Sequence, residues 1–157
     1  MLDLETPVND VFRRDRDLAD TTLLDPTSSS PVSLEQGEWL TTNSSNKLVR
    51  VGASSVTRAW QLWTPRGDFS AQAIGKVTVI QNGDYIALTD MYADAGGGFT
   101  LGQYLTVKQI TVDGQTRSGL TQAVQGTDYV YGTVEGLPAD NGGKLKFRAT
   151  PPWDWST

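Results

Sequence analysis

The sequence contains no cysteine and no histidine, only two methionines, and no apolar run long enough to cross a membrane. Without cysteine there is no disulfide framework and no thiolate metal site. Without histidine there is no imidazole ligand, no Ser-His-Asp or Cys-His nucleophile, and no histidine acid or base. Positive charge is also scarce: 13 Lys and Arg stand against 18 Asp and Glu, a formal net charge of -5. Such a balance opposes a general role in binding nucleic acid, which depends on neutralising phosphates, and opposes docking on anionic membranes. Met1-Leu2-Asp3-Leu4-Glu5 has neither the basic start nor the apolar centre of a secretory signal, so none is expected.

What is present in 157 residues is a chain of short apolar runs punctuated by 16 glycines and 7 prolines. Its charge is uneven. Residues 1–31 carry seven acids and three bases, a net of -4, and the remainder nets only -1. This N-terminal fifth ends in Asp25-Pro26-Thr27-Ser28-Ser29-Ser30-Pro31, a Pro/Ser stretch that reads as a hinge. Residues 1–31 are therefore expected to form an arm and hinge, and 32–157 a folded domain with a short C-terminal tail.

Within the arm, Thr6-Pro7 fits an N-cap followed by proline at the first helical position, and Val8, Val11, Phe12, Leu18 and Ala19 recur at roughly helical spacing. Asp10 and Arg14 form an acid-before-base pair. So short a helix needs a surface to dock against; the alternative is a frayed terminus.

From residue 32 onward the pattern is that of strands. Runs rich in Val, Thr, Ile, Tyr and Trp predict strands near 34–41, 47–53, 57–64, 74–81, 84–90, 104–112, 119–125, 128–136 and 143–149. In the last of these, Leu145, Phe147 and Ala149 alternate with Lys144, Lys146 and Arg148, which predicts one dry face. Asn82-Gly83-Asp84 and Asp113-Gly114 are tight hairpin signals. The expected fold is all-β, a single barrel or sandwich with an extended N-terminal arm.

No constellation carries an enzyme signature. Asp90-Met91-Tyr92-Ala93-Asp94-Ala95-Gly96-Gly97-Gly98 sets two carboxylates beside three glycines but matches no calcium-loop spacing and lacks the Lys-Ser/Thr of a phosphate loop. It reads as a connection between strands. Asn43-Ser44-Ser45 reads as a loop and Arg66-Gly67-Asp68 as a turn after Pro65. No cofactor and no metal are expected. Of the five tryptophans, Trp60 and Trp63 lie an odd number of residues apart and so should face opposite sides of a strand. Trp153 and Trp155 follow Pro151-Pro152, and a stiff lead-in to two aromatic residues suits anchoring on another subunit.

Phe99-Thr100-Leu101-Gly102-Gln103-Tyr104-Leu105-Thr106-Val107, Gly119-Leu120-Thr121-Gln122-Ala123, Tyr131-Gly132-Thr133-Val134 and Lys144-Leu145-Lys146-Phe147 follow in an order that resembles the small decoration, or cement, proteins of tailed-bacteriophage heads. Gly37-Glu38-Trp39-Leu40 is similar to their opening strand. The resemblance spans residues 34–149. It implies a non-enzymatic virion protein, made in the host cytoplasm, that adds to the outer capsid surface as a homodimer or homotrimer. Its implied partners are the major capsid protein and itself, with no nucleic acid and no membrane. With the arm taken to lie across the shell, the expected contact residues are Leu2, Leu4, Val8, Val11, Phe12, Arg13 and Arg14, together with Trp153 and Trp155. The alternative is a virion-associated glycan-binding or fibre-base module using exposed tryptophan and the Asp90–Gly98 loop; a hydrolase built on paired acids is a third reading.

Overall fold

Thr, Val and Ile crowd the stretch Tyr104–Val112 and leave it little choice but to extend, and Asp113-Gly114 then turns it back on itself. Both turn residues take positive φ, 49° and 74°, which glycine and aspartate tolerate and a tight hairpin needs. In a computed structural model that describes residues 2–6, 11–64, 75–81 and 83–156, pairing resumes at once, Val112 opposite Gln115.

The strands are β1 (Leu2–Leu4), β2 (Arg13–Asp17), β3 (Trp39–Thr42), β4 (Leu48–Arg50), β5 (Trp60–Gln61), β6 (Lys76–Ile80), β7 (Tyr85–Thr89), β8 (Tyr104–Val112), β9 (Gln115–Gln122), β10 (Tyr129–Gly136) and β11 (Leu145–Asp154). One antiparallel sheet has the order β1-β7-β11-β10-β8-β9, and two smaller sheets are β2-β6 and β4-β3-β5. Single bridges, Leu62 to Val79 and Leu18 to Leu48, knit the small sheets together. The fold is all-β and sandwich-like; its sheets do not close into the barrel that the strand count also allowed.

Two apolar clusters fill the interior. Trp39, Tyr85, Leu105, Val107, Leu120, Tyr131, Leu145 and Phe147 belong to one; Leu18, Leu34, Leu40, Leu48, Leu62 and Val79 belong to the other. Leu145, Phe147 and Ala149 are buried while Arg148 between them is exposed, as the alternation predicts. Gly132 marks a close backbone approach in the large sheet. A Cβ there would sit 2.5 Å from the Arg148 carbonyl oxygen, where the β10–β11 register shifts.

The N-terminal segment departs from the expected arm. Leu2 and Leu4 form a strand on the edge of β7, and Arg13–Asp17 pairs along β6. The residues in which a helix after Thr6 would begin, 7–10, lie outside the described residues; the Thr6 hydroxyl accepts from the Ile86 N–H at 2.7 Å, and its own N–H donates to the Ile86 carbonyl. Pairing with an existing sheet satisfies these backbone groups at once. Three acids of this segment are matched by bases of the body, Asp3 with Lys144, Glu5 with Lys146 at 2.8 Å and Asp17 with Lys76 at 4.0 Å. The Pro/Ser stretch is likewise a set of turns: the Asp25 carboxylate accepts from the Thr27 N–H at 2.9 Å, and the Ser28 hydroxyl donates to the Pro31 carbonyl at 2.6 Å. Leu18 and Leu23 are buried beyond it.

Candidate functional site

The predicted contact residues of the N-terminal segment separate when placed in the fold. Leu2 and Val11 are core residues, 6% and 5% exposed, and Leu4 packs against the same cluster. Leu2 and Val11 therefore leave a partner almost no surface, while Leu4 stays half-buried. Their burial follows from strand pairing, which turns every second side chain inward. Val8 lies outside the described residues, as do Asn82 of the hairpin turn and the whole of Arg66-Gly67-Asp68. Phe12 is 76% exposed, the most exposed of the large apolar side chains described. Arg13 and Arg14 follow it as the first two residues of β2, both exposed, with the Arg13 guanidinium 5.1 Å from the centre of the Trp63 ring.

Arg16, two residues further on, lies 4.2 Å over Trp60, and Arg58 approaches the same ring at 5.7 Å. Trp60 and Trp63 do turn to opposite sides, one packing on each apolar cluster. Partial burial lowers the Arg16 pKa, and the neighbouring Arg14 and Arg58 charges add to the effect. β2 and the Arg58 segment thus gather cations on a protein whose net charge is negative.

Trp153 and Trp155 are not a loose tail. β11 continues through Pro151-Pro152 to Asp154, with Trp153 opposite Val130 and Asp154 opposite Tyr129. Both indoles stand edge-on to Tyr104, with ring centres 5.2 and 4.8 Å away. Tyr104 is where β8 begins; Leu105 and Val107 are buried on one face, so alternation puts the tyrosine on the other, half-buried at the end of the strand. The loop 123–128 closes the other side. Ala123 donates to the Tyr104 carbonyl at 2.9 Å, Gly126 donates to the Trp155 carbonyl at 2.6 Å, and Val124 projects 56% exposed.

One buried acid holds that loop in shape. The Asp128 carboxylate accepts from Lys108 Nζ and from the Val124 N–H, both at 2.9 Å. The result is a surface of Tyr104, Val124, Trp153 and Trp155, fixed by strand pairing beneath and by an ion pair beside it. Trp153 is 39% exposed. Two of these residues were expected from sequence. Tyr104 and Val124 were not, because they lie about 30 to 50 positions away in the sequence and only the order β11-β10-β8 brings them near.

The Asp90–Gly98 loop is occupied with its own structure. Asp94 accepts from the Gly96 N–H at 2.8 Å and from Gln122 Nε2 at 2.6 Å, and these bonds hold its carboxyl below the usual carboxylate range. Tyr92 donates to the Gly143 carbonyl at 2.7 Å and stacks edge-on against Phe99. Among the described residues no group of three or more His, Cys, Asp or Glu side chains is placed to share a metal ion.

No protein-family model matches the chain, and no curated protein or solved structure is significantly similar to it.

Proposed function

We propose that this is a non-enzymatic structural protein of a tailed-phage virion, bound to the outer capsid surface and bridging major capsid protein subunits. The observation that carries the reading is the surface of Tyr104, Val124, Trp153 and Trp155. Aromatic side chains held rigid and partly exposed are what protein interfaces use as anchors, because they bury a large area with little rotamer entropy to lose. This surface joins copies of the chain into a dimer or trimer. The exposed run Phe12-Arg13-Arg14 at the start of β2 then meets the shell, several weak contacts adding through the oligomer. The sequence resemblance over residues 34–149 supports the same reading, and an acidic body suits the outside of a DNA-filled shell.

The test is co-sedimentation with expanded capsids and with unexpanded procapsids, with the oligomeric mass measured alongside. Saturable binding to expanded shells alone, lost together with the oligomer in the Trp153→Ala/Trp155→Ala variant, is the expected result. An oligomer unchanged in that variant removes the subunit role of the aromatic surface. Absence of binding to either shell, with tryptophan fluorescence quenched by a host polysaccharide, would put a glycan-binding module in its place.

A further inference from the structure

A hollow of about 240 Å³ opens beside β2, lined by Arg14, Asp15, Arg16, Asp17, Asn46 and Lys76. Its two acids already have partners: the Asp15 carboxylate accepts from the Thr78 hydroxyl at 2.6 Å, and Asp17 lies 4.0 Å from Lys76. Its two arginines do not. Among the described residues neither Arg14 nor Arg16 forms an ion pair with an acid, and neither does the nearby Arg58.

The donors are held in place by the fold. Arg14 and Arg16 stand opposite Val79 and Val77 of β6, so both project from one face of β2 with their Cα atoms about 7 Å apart. Arg16 donates from NH2 to Asn46 Oδ1 at 3.1 Å, and its guanidinium rests 4.2 Å from the centre of the Trp60 ring. Because the Asn46 oxygen accepts from Arg16, the NH2 of the same amide remains to donate. Asn46 sits on a fixed turn: its φ of 59° is left-handed, and Asn43 Oδ1 accepts from the Ser45 and Lys47 N–H groups at 3.0 Å each.

The chemistry of this lining selects an anion with several oxygens. Burial and the like charges of Arg14 and Arg58 all act against the charged form of Arg16, and an anion in the hollow relieves that repulsion. A carboxylate offers two oxygens, whereas two guanidinium groups, an amide and the Lys76 ammonium present donors from four side chains. A phosphate group offers three oxygens on one centre and about two negative charges, and arginine forks match it edge to edge. Size and net charge limit what carries it. The hollow is smaller than the roughly 300–1,000 Å³ of a drug-sized pocket, and a formal charge of -5 on the whole chain repels a long polyanion.

We infer that this hollow binds the phosphate group of a small molecule, with Arg14, Arg16 and Asn46 donating to its oxygens and Lys76 and Arg58 adding positive charge. The site does not depend on the virion reading; Arg14 is the one residue common to both. Calorimetric titration of the full-length protein at about pH 8 and low salt tests it, with inorganic phosphate, glucose 6-phosphate, acetate and a short oligothymidylate as probes. The Asn46 side-chain NH2 is followed alongside in a nitrogen-15 NMR spectrum and assigned by its absence in Asn46→Gly. Saturable binding of phosphate or glucose 6-phosphate that moves this signal is expected, with acetate at least about tenfold weaker. Which of the two binds more tightly separates free phosphate from an organic monoester as the source. Arg14 is exposed, so Arg14→Gln should fold as the parent does and weaken binding about tenfold. Arg148→Gln, the same loss of charge on β11, should leave binding unchanged. Equal weakening in the two variants would reduce the effect to net charge and overturn the site. Acetate bound as tightly as phosphate, an oligonucleotide bound more tightly than either phosphate, or no binding of any probe at millimolar concentration would each overturn it as well.

Discussion

Glu38 is fully buried, and its carboxylate accepts from Arg50 Nε at 2.8 Å, Arg50 NH2 at 2.9 Å, Arg117 NH1 at 2.6 Å, and the backbone N–H groups of Glu35 and Ser118 at 3.0 and 3.3 Å. Arg117 belongs to β9 of the large sheet and Arg50 to β4 of a small one, so this one carboxylate ties the two layers together. Glu38→Gln keeps the shape and removes the charge, placing an amide NH2 against guanidinium donors. Arg117, 4% exposed, is left with Glu35 at 3.0 Å and the Ser33 carbonyl. Breaking a buried ion pair from one side costs about 3–5 kcal/mol. A chain of this size has roughly 5–15 kcal/mol of stability, so the loss is a large share of it. With a urea m-value of about 2 kcal/mol/M, the unfolding midpoint should fall by about 2 M. Urea denaturation followed by tryptophan fluorescence measures it, and a double-mutant cycle with Arg117→Met separates the pair from its surroundings. Removing both partners should destabilise by less than the sum of the single changes. A Glu38→Gln loss below about 1 kcal/mol, or strict additivity in the cycle, would refute the view that this network clamps the layers.

Two further outcomes follow from the core. Burial pushes the Tyr85 and Tyr131 hydroxyls well above the ordinary tyrosine value. The unfolded chain therefore releases these protons first as pH rises past 10, and stability, fully present below that point, should decline by about 1.4 kcal/mol per pH unit for each tyrosine. Urea midpoints between pH 9 and 11 test this, and Tyr85→Phe should remove one share of the slope; an unchanged slope would contradict it. Gly132→Ala drives a methyl group to 2.5 Å from the Arg148 carbonyl oxygen and should cost about 1–3 kcal/mol, whereas Gly52→Ala meets nothing within 4 Å and should stay within about 0.5 kcal/mol of the parent. Thermal melts of the two variants side by side decide it, and equal melting temperatures would count against the close approach.

Strands whose two faces differ in polarity were legible in the sequence. β8 coincides with the predicted 104–112, and β6, β7 and β10 fall inside their predicted ranges. β9 begins four residues before its prediction because Gln115-Thr116-Arg117-Ser118 carries no apolar alternation. Its inward positions are polar and are satisfied by the Glu38 network, which no periodicity reveals. β2 is the extreme case: Arg-Arg-Asp-Arg-Asp has no strand signature, and its form is imposed by β6, to which it is paired from Arg13 opposite Ile80 to Asp17 opposite Lys76. Local propensity loses there to a ready-made ladder of hydrogen bonds.

The same limit governs the candidate sites. Tyr104, Trp153 and Trp155 form one surface because β10 lies between β8 and β11. Single residues at such separations carry no mutual signal in one sequence. Charge shows the point most plainly. The N-terminal acids are evenly spread and look solvated, yet Lys144 and Lys146 reach Asp3 and Glu5 across β7. The lysines read as a solvent face, and the acids as a free arm, are halves of one set of ion pairs. Charge segregated along a chain therefore does not establish charge segregated in space, and the polarity of this molecule's surface has to be read from its strand order.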